Sequence, residues 1–271
     1  MAREWARRID AAPKDVLASD LYAGRTFTEA TRAAGKAKGR LLIVSAGLGL
    51  IATDRLVPGY DLTLAPTSED SVLAKTNGPS HAWWAALKSS RAGAEPDLSG
   101  EELILAALSR PYLQMVASDW AKWPAERLAR LRLFSKDLPK DLPSVLAAAW
   151  IPYDDRLDQA QGGYAGTQSD FAQRALRHFV ETVGAQVAPI AAQRLVVETA
   201  LSALTHRQIP SRLRMSDEEI LRIIQRDWDL VDGRSGAMLR RLRDRLAIAC
   251  EQTRFKHLFK SAAALRQRPL L

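Results

Sequence analysis

The segment from Arg40 to Leu64, RLLIVSAGLGLIATDRLVPGYDLTL, constrains this chain more than any other. Leu41 to Ala46 is an apolar run interrupted only by Ser45, the pattern of a buried strand. It closes on Gly47-Leu48-Gly49, and a short connection then delivers Pro58-Gly59-Tyr60-Asp61. Glycines directly after a buried strand let backbone approach backbone or a ligand closely. Tyr60 and Asp61 set an aromatic ring beside a carboxylate, one to stack on a flat heterocycle and one to accept hydrogen bonds from its edge. Ser45, Gly47, Gly49, Tyr60 and Asp61 are therefore candidate base-binding residues; core packing is the alternative for Tyr60.

A chain of 271 residues accommodates one large domain, or a main domain with a small one attached. Cys250 is the only cysteine and the four histidines are scattered, which excludes an internal disulfide and multi-cysteine zinc or iron–sulfur sites. No metal and no cofactor are expected. Cys250 opens an apolar-patterned helix and reads as core. MAREWARRID lacks the apolar stretch of a secretory signal, and no run approaches the ~18 apolar residues of a membrane span. A cytoplasmic protein without a membrane partner is the expectation.

The net charge of +8 is unevenly spread. From Thr205 to Leu271 there are 15 Lys/Arg against 8 Asp/Glu, whereas residues 1–204 are nearly balanced. Positive charge confined to one terminal module is a usual footprint of nucleic-acid contact; a solvated helical face or a partner-docking surface is the alternative.

Periodicity predicts helices from about Thr26 to Gly35, around His81–Leu87, near Leu103–Leu108 and over Ala121–Leu131. Further helices are expected over Asp170–Val183, capped by Ser169, and Val187–Leu204. PYLQMVA (residues 111–117) reads as a second buried strand ending at Ser118-Asp119, and Leu131–Phe134 as a short one. Beyond Pro210, three helical patterns open near Ser216, Ser235 and Cys250. The second turns Met238, Leu239, Leu242 and Leu246 inward and Arg240, Arg241, Arg243 and Arg245 outward. The third turns Lys256 outward with Arg254 and Lys260. Such a module suits a helix-turn-helix or any small helical bundle. The expected architecture is a mixed-sheet α/β (α+β) domain over residues 1–185 and a basic helical, DNA-binding module over 186–271.

Ser45-Ala46, Gly49-Leu50 and the segment Pro58-Gly59-Tyr60-Asp61-Leu62-Thr63-Leu64 together resemble the YaaA-like family. Asp54, Leu56, Tyr60, Leu62 and Leu64 fit that family's second pattern, with Gly59 standing between the proline and the tyrosine. Met115-Val116-Ala117-Ser118-Asp119 with Trp120, and Leu21-Tyr22 with Phe27, extend the resemblance over roughly residues 20–125. It implies a mixed α/β domain associated with DNA and modified purines. One branch occurs in gene clusters that insert 7-deazaguanine bases into DNA, where its member is required to hydrate 7-cyano-7-deazaguanine to the 7-amido form. DNA, duplex with a flipped base, and other proteins of such a cluster are the partners this implies.

Nitrile hydration needs a general base for water and a proton for the nitrile nitrogen. Asp119 is the first candidate base, with Ser118 or Lys122 as donors; a helix cap is the alternative for Ser118-Asp119. Arg174, Arg177 and His178 share one helix face that would hold a phosphate or lie solvated. Trp83, Trp84, Trp120 and Trp123 read as core, with a base pocket as the alternative. A non-catalytic DNA-binding protein of stress response or phage defence and a DNA glycosylase are the competing functions.

Overall fold

Strands expected to build one mixed sheet instead form separate two-stranded pairs, in a computed structural model that describes residues 1–65, 68–90, 95–206 and 211–266. Contacts divide the chain into Met1–Arg207 and Gln208–Leu271. The first unit runs α1 (Ala2–Ala11), β1 (Val16–Leu17), α2 (Ala18–Leu21), α3 (Arg25–Ala37), β2 (Leu42–Ser45), β3 (Gly49–Ala52) and β4 (Leu56–Val57). Then come α4 (Val72–Thr76), α5 (Ser80–Ser90), β5 (Ile104–Ala107), α6 (Arg110–Trp120) and α7 (Ala125–Arg130). The unit closes with β6 (Leu131–Phe134), α8 (Ser144–Ala147), α9 (Phe171–Thr182) and α10 (Ile190–Ser202). Helices with short strands make this an α+β fold. Among the described residues no helix is long and apolar enough to cross a membrane.

The opening motif folds as a hairpin. β2 pairs antiparallel with β3, Ser45 opposite Gly49, through a turn at 46–48. Gly49, the first residue of β3, takes φ +78°, a left-handed conformation that glycine adopts without steric cost. β1 and β4 form a second antiparallel pair. Leu131–Phe134 is the expected strand, buried throughout, and pairs in parallel with β5.

PYLQMVA is not a strand but the body of α6. Pro111 sits in its first turn, where a missing N–H is no loss, and Leu113, Met115, Val116, Ala117 and Trp120 are buried. A short apolar run is compatible with either a buried strand or a buried helix. The strand lies just upstream, at Ile104–Ala107, where helical turns were expected. Trp83, Trp84 and Trp120 are buried in the α5–α6 core, and Trp120 stacks on Trp123 at 4.7 Å.

Helix α10 belongs with the first unit, beyond the expected boundary at 185/186. Val197 and Leu201 pack in one cluster with Phe134, Phe179 and Val180. Buried Arg132 on β6 donates to Gln193 Oε1 at 2.5 Å and to the Ala188 carbonyl at 2.8 Å.

Arg174, Arg177 and His178 are 1%, 3% and 6% exposed, so they offer no face to a phosphate. Arg174 donates to Asp170 (2.8 Å), Asp158 (2.7 Å) and the carbonyls of Tyr164 and Thr167. Arg177 pairs with buried Glu29 of α3 at 2.8 Å and donates to the Gly162 carbonyl. The two guanidiniums thus clamp the loop at 161–169 over α9. The periodicity did identify their shared face, but α3 and the loop cover it. Asp170, rather than Ser169, precedes the helix as its N-cap residue.

His178 sits edge-on between Tyr153 and Tyr164, with Tyr153 Oη 3.0 Å from Nδ1. Burial, then the nearby Arg177 guanidinium, lower its pKa against the opposing pull of Glu181. A histidine kept neutral in the fold takes up a proton more readily once unfolded. Its stabilising contribution is present above the unfolded pKa of ~6.5 and fades as pH falls through that value toward the lower folded one. Urea midpoints are therefore expected to drop between pH 7.5 and 5, with a flatter profile in His178→Gln.

In the second unit, β7 (Leu213–Arg214) pairs in parallel with β8 (Ile248–Ala249) beside α11 (Asp217–Arg226), α12 (Ser235–Arg240) and α13 (Gln252–Arg266). The three expected helices form. Ser216 and Glu219 make a reciprocal capping box at the helix start expected near Ser216. Met238, Leu242, Phe255 and Cys250 are buried in the core of this unit. Past Arg240 the helix loosens into a π-turn over Arg241–Arg245, closed by Leu246 N donating to the Arg241 carbonyl at 3.0 Å.

Candidate functional site

In the first unit, a polar pocket of about 270 Å³ is lined by Leu21, Tyr22, Tyr60, Asp61, Thr63 and Asp70, among others. Asp61 is exposed at its wall. Asp70 lines it too, carrying an ion pair to Lys75 at 3.1 Å.

Behind the wall runs a chain of hydroxyls. The amides of Gly47 (3.2 Å) and Leu48 (2.9 Å) donate to Ser45 Oγ. With its lone pairs so occupied, Ser45 directs its own hydrogen to Tyr60 Oη, which in turn donates to Tyr22 Oη at 2.5 Å. Burial, then the neighbouring Tyr22, push the Tyr60 phenol well above its usual range, so it stays protonated and available as a relay.

Ser45 and Gly47 consequently support Tyr60 from behind, and neither they nor Gly49 line the pocket. A Cβ on Gly47 would lie 2.5 Å from Tyr60 Cε2 and 3.0 Å from Trp5 Cζ2. Trp5 also donates its indole N–H to the Gly47 carbonyl at 2.7 Å and meets Tyr60 edge-on at 5.7 Å. The close approach that the glycines suggested is real, but the approaching group is the protein's own tyrosine. Gly47→Ala is expected to cost about 1–3 kcal/mol through overpacking, readable in chemical denaturation.

Asp119 does not line this pocket. It lies in the last turn of α6, where it accepts from Trp84 Nε1 (3.1 Å) and Lys88 Nζ (2.8 Å). Burial works against the Lys88 charge, but Asp119 and Glu95 more than offset it and the lysine pKa is raised. Asp119 is thus neither the cap nor the strand-end carboxylate of the sequence reading; it pins α6 to α5. Ser118 and Lys122 are exposed beside it. Residues 111–119 bring no strand end to the pocket, because they lie in helix α6.

Residues that sequence reasoning left out of the site are Tyr22, Thr63 and Asp70. Tyr22 stood in the resemblance motif, but only tertiary packing brings its hydroxyl to Tyr60. Asp154, Asp155 and His206 bring ligand-type atoms within 4.8 Å of one another. Arg156 already engages both oxygens of Asp154, and His206 Nδ1 is 2.8 Å from Asp155, so an ion-pair network accounts for this cluster.

In the second unit the expected DNA-binding cations divide. Arg241 is paired with buried Asp227 at 2.8 Å, and Arg243 donates to the Cys250 carbonyl at 2.7 Å. Both are engaged within the fold. Arg240, Arg245 and Lys256 are exposed and carry no ion pair among the described residues, as is also true of Lys260.

Comparison with protein-family models, curated proteins and solved structures finds no match to this chain.

Proposed function

We propose that this chain binds DNA and acts on a purine-type base, hydrating 7-cyano-7-deazaguanine in DNA to the carboxamide. The observation that carries the reading is the pocket of Tyr22, Tyr60, Asp61 and Asp70, where two carboxylates and two aromatic walls surround a base-sized space. A deazaguanine presents N–H donors on its edge, which carboxylates accept, and a flat face against which aromatic rings pack. A base within duplex DNA would be flipped out to enter. The reaction adds one water and changes no oxidation state. Water oxygen bonds to the nitrile carbon, its proton passes to a carboxylate, the nitrile nitrogen is protonated from the tyrosine relay, and the carboxylic acid then returns its proton to that relay, restoring both groups. The imidic acid so formed tautomerises to the amide. Asp61, exposed in the pocket, takes the role of base that the sequence reading gave to Asp119.

The exposed cations Arg240, Arg245 and Lys256 supply the phosphate contacts in this reading. A non-catalytic DNA-binding protein is the second reading, favoured by the engagement of Asp119 with Lys88 and Trp84. The test is to incubate the purified protein with DNA containing the nitrile base and digest to nucleosides. Carboxamide nucleoside above a no-enzyme control supports hydration. Its absence, with salt-dependent duplex binding retained, leaves the second reading.

A further inference from the structure

We propose that a cleft in the second unit, built by the β7–β8 pair, the π-turn and the start of α13, is a seat for one phosphodiester of a DNA strand. The cleft has a volume of about 560 Å³, and Arg212, Arg214, Arg243 and Arg254 line it around Ala249 and the Cys250 thiol. The phosphate chemistry rests on the reading of this unit as a DNA-contacting module; the residues are mostly outside the set the sequence singled out.

Three of the four guanidiniums are held in place by the fold. Arg212 donates through Nε to the Arg243 carbonyl (3.1 Å) and through Nη2 to Asp244 (3.3 Å). Arg243 directs Nε and Nη2 at the Cys250 carbonyl (3.1 and 2.7 Å). Arg254 directs Nε at Asp217 (2.6 Å) and Nη2 at the Met215 carbonyl (2.8 Å). A guanidinium has five N–H donors, so each of the three keeps donors beyond those bonds. Arg214 is exposed, and its side chain has no hydrogen bond or ion pair among the described residues.

The charge balance selects the ligand. Asp217 and Asp244 neutralise two of the arginines, and Glu251 also lines the cleft. Glu251 is occupied in accepting from the amides of Thr253 and Arg254, both at 2.9 Å. Four cations against three carboxylates leave the cleft a net charge of +1; Arg243 and Arg214 stand outside any ion pair, and of the two only Arg214 has no side-chain hydrogen bond among the described residues. A phosphodiester carries a single negative charge and matches that net charge; a terminal phosphate monoester, approaching two, does not. The volume holds the phosphate with its flanking sugars.

Two backbone irregularities shape this cleft. The π-turn ends at Arg245, and Ala247 follows with φ +49°, the left-handed region that a non-glycine residue seldom occupies. Together they turn the chain so that Ile248–Ala249 lies against Leu213–Arg214, with Leu213 N donating to the Ala247 carbonyl at 2.7 Å. An α-helix continued through this stretch would leave no β8 and no cleft.

The experiment measures binding of the full chain to a fluorescent duplex across a salt series, for wild type, Arg214→Gln, Arg214→Lys and the charge-matched control Arg234→Gln. Arg214→Gln is expected to weaken binding about threefold to tenfold and to make the log–log salt slope shallower by about one. Arg214→Lys keeps the wild-type slope, and Arg234→Gln stays within about twofold of wild type. Equal loss in Arg234→Gln, or wild-type affinity in Arg214→Gln, overturns the seat. Adding a 5′-phosphate to the duplex ends is expected to change nothing; a gain in affinity that vanishes in Arg214→Gln overturns the diester assignment. Failure of the wild-type chain to bind DNA at all defeats the DNA reading itself, a result distinguishable from the loss of this seat alone.

Discussion

Arg174→Ala is expected to destabilise the first unit by about 3–5 kcal/mol, the usual cost of leaving partners of a buried ion pair uncompensated. Asp170 would remain buried at 2% exposure with only the part-exposed Arg25, 3.3 Å away, as its cation, and the carbonyls of Tyr164 and Thr167 would lose their donor. Urea unfolding followed by tryptophan fluorescence reads the effect directly. Arg177→Ala removes the nearest cation of buried Glu29 and leaves it the more distant Arg25 and Arg32, at 3.8 and 3.7 Å, so a smaller loss is expected there. DNA affinity of the folded Arg174 variant is expected to match wild type. A stable variant with weakened DNA binding would instead restore the phosphate-binding role that the exposed-face reading assigned to this helix.

Asp61→Asn is expected to lower carboxamide formation by about 10²–10⁴-fold, the range for loss of a positioned general base. The substitution keeps shape and removes only the capacity to accept the proton of water. Because Asp61 is exposed, the fold tolerates it. Asp119→Asn behaves differently. It weakens the contact with Lys88, both side chains being 31% exposed, at a stability cost of about 1 kcal/mol or less, and leaves the reaction rate near wild type. Carboxamide yields from the two variants side by side separate the pocket carboxylate from the α5–α6 pin. The reverse ranking would return Asp119 to the chemistry and remove the pocket from it.

Local sequence information was reliable where a single element could satisfy itself. The Ser216–Glu219 box, the break at Gly47–Gly49 and the apolar spacing of α9 all depend on neighbours a few residues apart, and all appear in the structure. The apolar run 111–117 was misread because burial on every side removes the polar face from which a period is inferred. Likewise, Arg174 and Arg177 carry the charge pattern of a solvated face, yet loop 161–169 and α3 supply carbonyls and carboxylates that cover it.

By itself, then, the sequence determined that Tyr60 and Asp61 follow a glycine-closed strand, that excess positive charge gathers beyond Thr205, and that Cys250 sits in an apolar pattern. Tertiary structure alone decided which groups meet. Tyr22 reaches Tyr60 across 38 residues, Asp119 is drawn to Lys88 across 31, and Arg214 comes beside Ala249 through a π-turn and a strained alanine. The physical reason is that hydrogen-bond partners are chosen by which polar atoms remain unsatisfied after the core has packed, a condition set by distant segments and invisible in any short window of residues.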